Sequence, residues 1–285
     1  MDWVPISVLN GVSLGTILFL LATGLSLTLG LMGIVNLAHG AFFMIGGYVG
    51  WTVAVQLEFN YWLAVLAGGI TAGIVGVVIE RGFLRRIHGQ ALSQALLTVG
   101  FVYVLTNLTL LGWGAGLRQP FTSPLLAGTL PIAGWQYPIF RIATIAIGLV
   151  LFIGLWWFQE KTKLGAIVRA GMDDKQMVIG MGINLGKVNY LVFSLGAFIA
   201  GVAGVIGSQI MVLNPGLGFD ILLLALVVVI VGGTGSVQGA FAGAMVIGLI
   251  DAFGKFLVPE IARYLLYLVM LVVLLIRPSG LIPRK

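Results

Sequence analysis

Residues 3–57 read WVPISVLNGVSLGTILFLLATGLSLTLGLMGIVNLAHGAFFMIGGYVGWTVAVQL, without one Asp, Glu, Lys or Arg. A helix needs about 20 mostly apolar residues to cross a hydrocarbon core of about 30 Å, so this run is long enough for two passes. Further uncharged gaps follow between Glu58 and Glu80, Arg141 and Glu160, Lys187 and Asp220, and Asp220 and Asp251. Strict alternation of apolar and polar residues is absent, which argues against a membrane β-barrel. Of the 285 residues, 60% are hydrophobic and 8% charged, against roughly 25% charged in an average globular domain. Mean hydropathy is +1.13. Such a chain cannot cover its surface with polar groups, so the expectation is one all-α, polytopic helix bundle over 1–285 with the lipid bilayer as its solvent.

The net charge of +6 is spread over short loops and the C-terminus rather than gathered in one patch, which argues against a nucleic-acid partner. Cysteine is absent, so disulfides and thiolate metal sites are excluded. No basic segment precedes the first apolar run and no A-x-A site follows it, so 9–30 is expected to be a retained membrane helix.

Expected spans are 9–30, 36–56, 61–80, 94–112, 138–158, 189–211, 219–232, 239–256 and 261–277. The stretch 81–93 holds Arg81, Arg85, Arg86 and His88, and 159–187 holds Lys161, Lys163, Arg169, Lys175 and Lys187. By contrast 112–137 holds one base, Arg118, and 212–219 none. Lys and Arg accumulate on the cytoplasmic side, which puts the first pair of loops inside and the second outside. The N-terminus is then outside, the C-terminus with Arg277, Arg284 and Lys285 inside, and the crossings number nine, or eight if a short late segment is re-entrant. Trp3, Tyr61, Trp62, Trp113, Trp135 and Tyr137 fall at the outer interface and Trp156 and Trp157 near the inner one, as aromatic belts do.

Residues 33–42, GIVNLAHGAF, echo residues 232–241, GGTGSVQGAF, at an offset of 199. The same offset sets Arg85 on Arg284 and Arg86 on Lys285, so a parallel repeat of three helices is a candidate organisation. Transporters built from repeats place their sites at glycine-interrupted segments in corresponding positions. Here Asn36 and His39 stand in the first interruption, and Gly232, Gly233, Thr234 and Gly235 form the second. Polar side chains at membrane depth are functional candidates, and opened backbone there must be buried in protein or line a watery cavity. These residues, with Asp251 in the eighth span, are the expected substrate path; the alternative for Asn36 and His39 is hydrogen bonding between helices. No cofactor motif, metal cluster, catalytic constellation or phosphate loop is present, so neither enzyme activity nor ATP hydrolysis is expected of this chain.

The stretch 159–187, QEKTKLGAIVRAGMDDKQMVIGMGINLGK, is too polar to cross. Asp173 is expected to cap a helix with Gln176 closing a capping box and Gly182 at its C′ position. Asp174 and Lys175 lie in its first turn, and Met177, Val178 and Met181 are expected on one apolar face. Such a projecting helix suits either a helix-in-groove contact with a partner or packing back onto the membrane surface.

NLAHGAFFMIGGY, then RAGMDDKQMVIGMGIN with LVFSLGAFIAGVAGV, then VGGTGSVQGAFAGA, then IRPSGL, resemble in that order the permease subunits of bacterial branched-chain amino acid ABC importers, most of all the LivH type. The resemblance covers nearly the whole chain. It implies a second permease subunit (LivM-type, as a heterodimer), two cytoplasmic ATP-binding subunits, an extracytoplasmic substrate-binding protein and a location in the bacterial cell membrane. It implies that 173–182 is the ATPase-coupling helix, and that the substrate is Leu, Ile or Val, with urea and short amides carried by close relatives. A stand-alone secondary transporter or channel is the competing class; it would leave the capped helix without a purpose.

Overall fold

The computed structural model describes residues 3–87, 89–132 and 134–282; His88, Arg284 and Lys285, which figure in the loop and repeat expectations, lie outside the described residues. The helices are α1 (Trp3–Met32), α2 (His39–Trp51, continued by a π turn at Thr52–Gln56), α3 (Tyr61–Gly82), α4 (Ala91–Trp113), α5 (Ile139–Lys161), α6 (Lys163–Asp173), α7 (Lys175–Gly180), α8 (Leu185–Gly207), α9 (Leu217–Gly232), α10 (Val237–Leu257) and α11 (Ala262–Ile276). Each of the nine expected spans falls on an apolar helix. Six, namely α1, α3, α4, α5, α8 and α10, are long and apolar enough to cross a membrane, and α9 and α11 are shorter apolar helices.

Burial ranks these helices from the inside out. The richest window of α1 is 83% buried and that of α8 72%, whereas those of α4 and α5 are 17% buried. Ile17 through Leu21 of α1 are fully enclosed. On α4 Leu92, Leu96 and Leu111 are exposed, as are Tyr264 and Leu275 on α11. In water such faces would be a defect; in lipid, apolar exteriors are the expected arrangement.

Small residues let the central helices approach closely, because packing rather than hydrophobic burial drives helix association in lipid. Antiparallel α1 and α10 meet along their length. Trp3 stacks on Phe256 at 4.1 Å, Gly11 faces Gly248, Gly15 faces Ala244 and Gly30 faces Gly235. A Cβ on Gly15 would lie 2.8 Å from the Ala244 carbonyl oxygen. α8 packs in the same way on α2 and α3, through Gly204 against Phe43 and Gly47 and through Gly201 against Gly68.

One end of the bundle, its basic end, carries α6, α7 and the arginines after α3. The far end carries a feature the hydropathy reading lacked. β1 (Thr129–Ile132) and β2 (Trp135–Pro138) form an antiparallel hairpin, and Arg118 and Leu213 exchange two backbone hydrogen bonds of 2.9 Å. The Arg118 guanidinium lies over the Trp51 ring and donates to the Trp113 carbonyl at 2.6 Å.

Two helix interruptions and the loop that touches both

The first interruption begins where Gly33 takes a left-handed φ of +75° and donates its N–H to the Leu29 carbonyl. The chain then turns back along α1. His39 Nε2 lies 3.0 Å from the Leu21 carbonyl oxygen, eleven residues and about 16 Å of helix above Met32. A carbonyl only accepts, so Nε2 carries the proton and Nδ1 is the bare nitrogen. Three of the N–H groups after the break are satisfied inside the protein. Leu37 donates to Thr98 Oγ1 at 3.3 Å, Ala38 donates to Asn36 Oδ1 at 3.1 Å, and the His39 N–H bonds the Asn36 carbonyl. Asn36 thus closes the turn into α2, whose N-cap is Ala38 and whose first residue is His39, so His39 stands at the helix start and not in the break; both it and Asn36 are buried. Asn36 Nδ2 and His39 Nδ1 have no hydrogen-bond partner in the protein.

The second interruption is a tight turn. Gly233 and Gly235 have φ of +102° and +77°, and Ser236 caps α10 by accepting from the Gly239 N–H at 3.0 Å. Four neighbours fasten it. Ser26 of α1 accepts from the Gly235 N–H at 2.9 Å. Gln159 of α5 donates to the Gly235 carbonyl at 2.8 Å and accepts from the Val237 N–H at 2.9 Å. Leu281 and Ile282 donate to the Val231 and Gly232 carbonyls, which gives the terminal IRPSGL segment a structural purpose. Thr234 is exposed. The positive-φ residue that follows each helix is Gly33 in one copy and Gly233 in the other, so the two turns sit one residue off the 199 register, although both follow helices running towards the basic end.

The second interruption meets the last turns of α1, just before the first. A Cβ on Gly30 would lie 2.8 Å from Gly235 Cα, and the Met172 sulfur of α6 sits 3.0 Å from the Cβ position of each glycine. The next helix reaches the first interruption directly, since Lys175 Nζ donates to the carbonyl of Met32, the last residue of α1, at 3.2 Å. The α5–α6 corner is braced by Arg169, which bonds the Gln159 carbonyl and pairs with Glu160 at 3.5 Å. The stretch 159–187 therefore holds both breaks at once.

The local reading of that stretch needs two corrections. The cap of α7 is Asp174, not Asp173: its Oδ1 accepts from the Gln176 and Met177 N–H groups at 2.9 and 3.0 Å. α6 runs on through Asp173, and only Asp174 has the extended backbone (φ −146°, ψ 101°) that a cap requires. Met177 then occupies the third helical position, so no capping box forms and Gln176 contributes only its backbone. Second, Val178 is not on the outer face. It is 1% exposed, packed into its own bundle, while Met177, Ile179 and Met181 are 59, 59 and 67% exposed. Gly182 does take the left-handed C′ conformation, at φ +80°.

Asp251 is not brought to the breaks. It lies sixteen residues along α10 from Gly235, buried and paired with Lys255 at 2.6 Å. Sequence reasoning missed Ser26, Gln159, Met172 and Ile179. Gln159 reads in sequence as one more polar residue at a helix end, and only the fold carries α10 to its amide.

A family model described as branched-chain amino acid transport system / permease component matches residues 7–274. The high-affinity branched-chain amino acid transport system permease protein LivH of Salmonella typhimurium is 30% identical, with 96% of this chain and 94% of that protein aligned. The corresponding protein BraD of Pseudomonas aeruginosa is 28% identical over the same shares. The ribose import permease protein RbsC of Escherichia coli is 26% identical over 81% of this chain and 72% of its own. Among solved structures, PsaBC from Streptococcus pneumoniae in complex with Fab shares the fold at a TM-score of 0.50 and 14% identity, covering 97% of this chain and 91% of that one. A match over residues 7–274, nearly the whole bundle, means that the chain belongs to the branched-chain amino acid transport permease family.

Proposed function

We propose that the chain is the membrane permease subunit of an ABC importer for branched-chain amino acids, working by alternating access. The observation that carries this reading is the double engagement of the loop 159–187. On one side Met172 and Lys175 touch both helix interruptions. On the other, α7 offers Met177, Ile179 and Met181 to a partner. A displacement of α7 by ATP-binding subunits then reaches the glycine turns at Gly33 and Gly233–Gly235 directly. Those turns are where the backbone can pivot, because glycine tolerates positive φ without steric cost. ATP binding and hydrolysis outside this chain bias two states of the bundle, and differential contact in each state is sufficient to drive the exchange. Asn36 Nδ2 and His39 Nδ1, buried and unpartnered, supply polar contacts along the path near its middle.

On this reading the basic end is cytoplasmic, in keeping with the distribution of Lys and Arg. The far end, with its hairpin, receives an extracytoplasmic binding protein, and a LivM-type second permease completes the transmembrane pair. A stand-alone secondary transporter has less support, because the buried Asp251 is already paired with Lys255.

Met177→Asp puts a charge into the docking face while leaving the bundle intact. Burying an unpaired charge costs several kcal/mol, so at about 3 kcal/mol retention of the ATP-binding subunits should fall roughly 100-fold. Co-purification of those subunits, measured alongside uptake of labelled leucine, checks this; full retention would remove α7 as the docking element. The kinship with a ribose permease favours one second reading, a sugar substrate. Uptake of labelled ribose but not of leucine would establish it.

A further inference from the structure

At the basic end, a cavity of about 570 Å³ opens between the end of α3, the end of α7 and the start of α8. Its lining includes Glu80, Arg85, Ile179, Ile183, Asn184 and Asn189. Glu80 is 2% exposed, and its Oε2 is buried without a hydrogen-bond partner. A buried acceptor without a hydrogen bond is costly, so Oε2 points to a donor group that it receives beside Arg85 and Arg81, the charges that act on this carboxyl. Arg81, one residue on, is engaged with the Tyr190 ring at 5.1 Å. Arg85 stands in the same lining as Glu80 and is the nearer in effect of the two charges on its carboxyl. Next to it is the first turn of α8, a 23-residue helix whose N-terminus favours negative charge. One anion, one cation with a helix start, and an apolar side of Ile179 and Ile183 together complement one kind of molecule.

We propose that this cavity is a second binding site, for a free α-amino acid with an apolar side chain on the ATPase side of the membrane. Its ammonium group bonds Glu80, its carboxylate meets Arg85 and the start of α8, and its side chain lies against Ile179 and Ile183. The volume falls within the about 300–1,000 Å³ of small-molecule sites. Because Ile179 and Gly182 line the cavity and bound α7, a molecule seated there restrains the helix that couples ATP to transport. The site is a product sensor: accumulated substrate slows its own import. The sensing role rests on the function proposed above; the chemistry of the cavity does not.

The test uses the assembled permease–ATPase complex without its binding protein. Equilibrium binding of radiolabelled leucine is measured for the unaltered complex and for Glu80→Gln and Arg85→Gln, with phosphatidylethanolamine retained by each sample quantified by mass spectrometry. The expected result is leucine binding that weakens at least tenfold in each variant. Ile183→Trp, which fills the cavity, should do the same and carries the test if Glu80→Gln does not assemble. Leucine binding that survives the substitutions belongs to the translocation path and overturns the site. So does loss of retained phosphatidylethanolamine in the variants with no change in leucine binding, since the occupant is then a lipid headgroup. Leucine uptake by the same complex with its binding protein separates the two readings. Uptake without Glu80-dependent binding rejects only this site, whereas absent uptake rejects the transport assignment and leaves the site to be judged on binding.

Discussion

Gln159 and Lys175 show how few side chains fasten the two interruptions. The Gln159 amide spends both its donor and its acceptor on the turn at Gly235–Val237. In Gln159→Leu that carbonyl and that N–H stay buried without partners, each at about 1–3 kcal/mol. The expected outcome is a lowered thermal unfolding midpoint for the purified protein together with impaired uptake. Lys175→Met keeps the apolar stem of the side chain but loses the bond to the Met32 carbonyl. It should lower uptake while the ATP-binding subunits stay attached, because the docking residues Met177, Ile179 and Met181 are untouched. The neighbouring aspartates give a sharper local check. Asp174→Ala removes the cap of α7 and should cost about 1 kcal/mol of its stability, read as faster amide hydrogen exchange over 175–180. Asp173→Ala leaves the cap bonds of Asp174 in place and should change that exchange much less.

At the level of elements, glycine separates into residues that permit contact and residues that do not matter. On α8, a Cβ at Gly204 would run into the Phe43 backbone of α2, whereas one at Gly154 on α5 would meet nothing within 4 Å. Overpacking a close helix contact costs about 1–3 kcal/mol. Gly204→Val should therefore lower the thermal midpoint or prevent assembly, and Gly154→Val should be near neutral in the same detergent assay. Sequence spacing alone does not distinguish the two, since both are glycines in apolar runs. The difference is burial: α8 stands inside the bundle and α5 at its rim. Helix existence was legible because charge-free runs of spanning length have few other solutions in lipid. The α6–α7 junction was not, because two adjacent aspartates can each serve as a cap and only the length of α6 selects Asp174.

For the whole molecule, the expected orientation follows from the basic end. The chain has no cysteine, so single cysteines report position cleanly. Thr129→Cys on the hairpin and Ser279→Cys beyond α11 both fall on exposed residues; Ser7, by contrast, is buried and unsuited to labelling. An impermeant thiol reagent should label Thr129→Cys in intact cells and Ser279→Cys only after permeabilisation. Labelling in the reverse order would invert the topology and set α7 on the wrong side for a cytoplasmic ATPase.

Legible in the sequence were the bilayer as solvent, the nine apolar runs, the interruptions around Asn36–His39 and Gly232–Gly235, and the projecting polar stretch between α5 and α8. These are properties of composition along short windows, and the bilayer leaves the backbone no other way to satisfy its hydrogen bonds. The tertiary structure sets Gly30 against Gly235 and brings Gln159 and Ser26 to hold the second break. It alone showed that Val178 turns inward while Ile179 turns outward, and that Asp251 lies with Lys255 far from either break. Each of these depends on which helices become neighbours. In lipid that choice is made by shape and by a few hydrogen bonds rather than by hydrophobicity, so the hydropathy pattern carries no record of it.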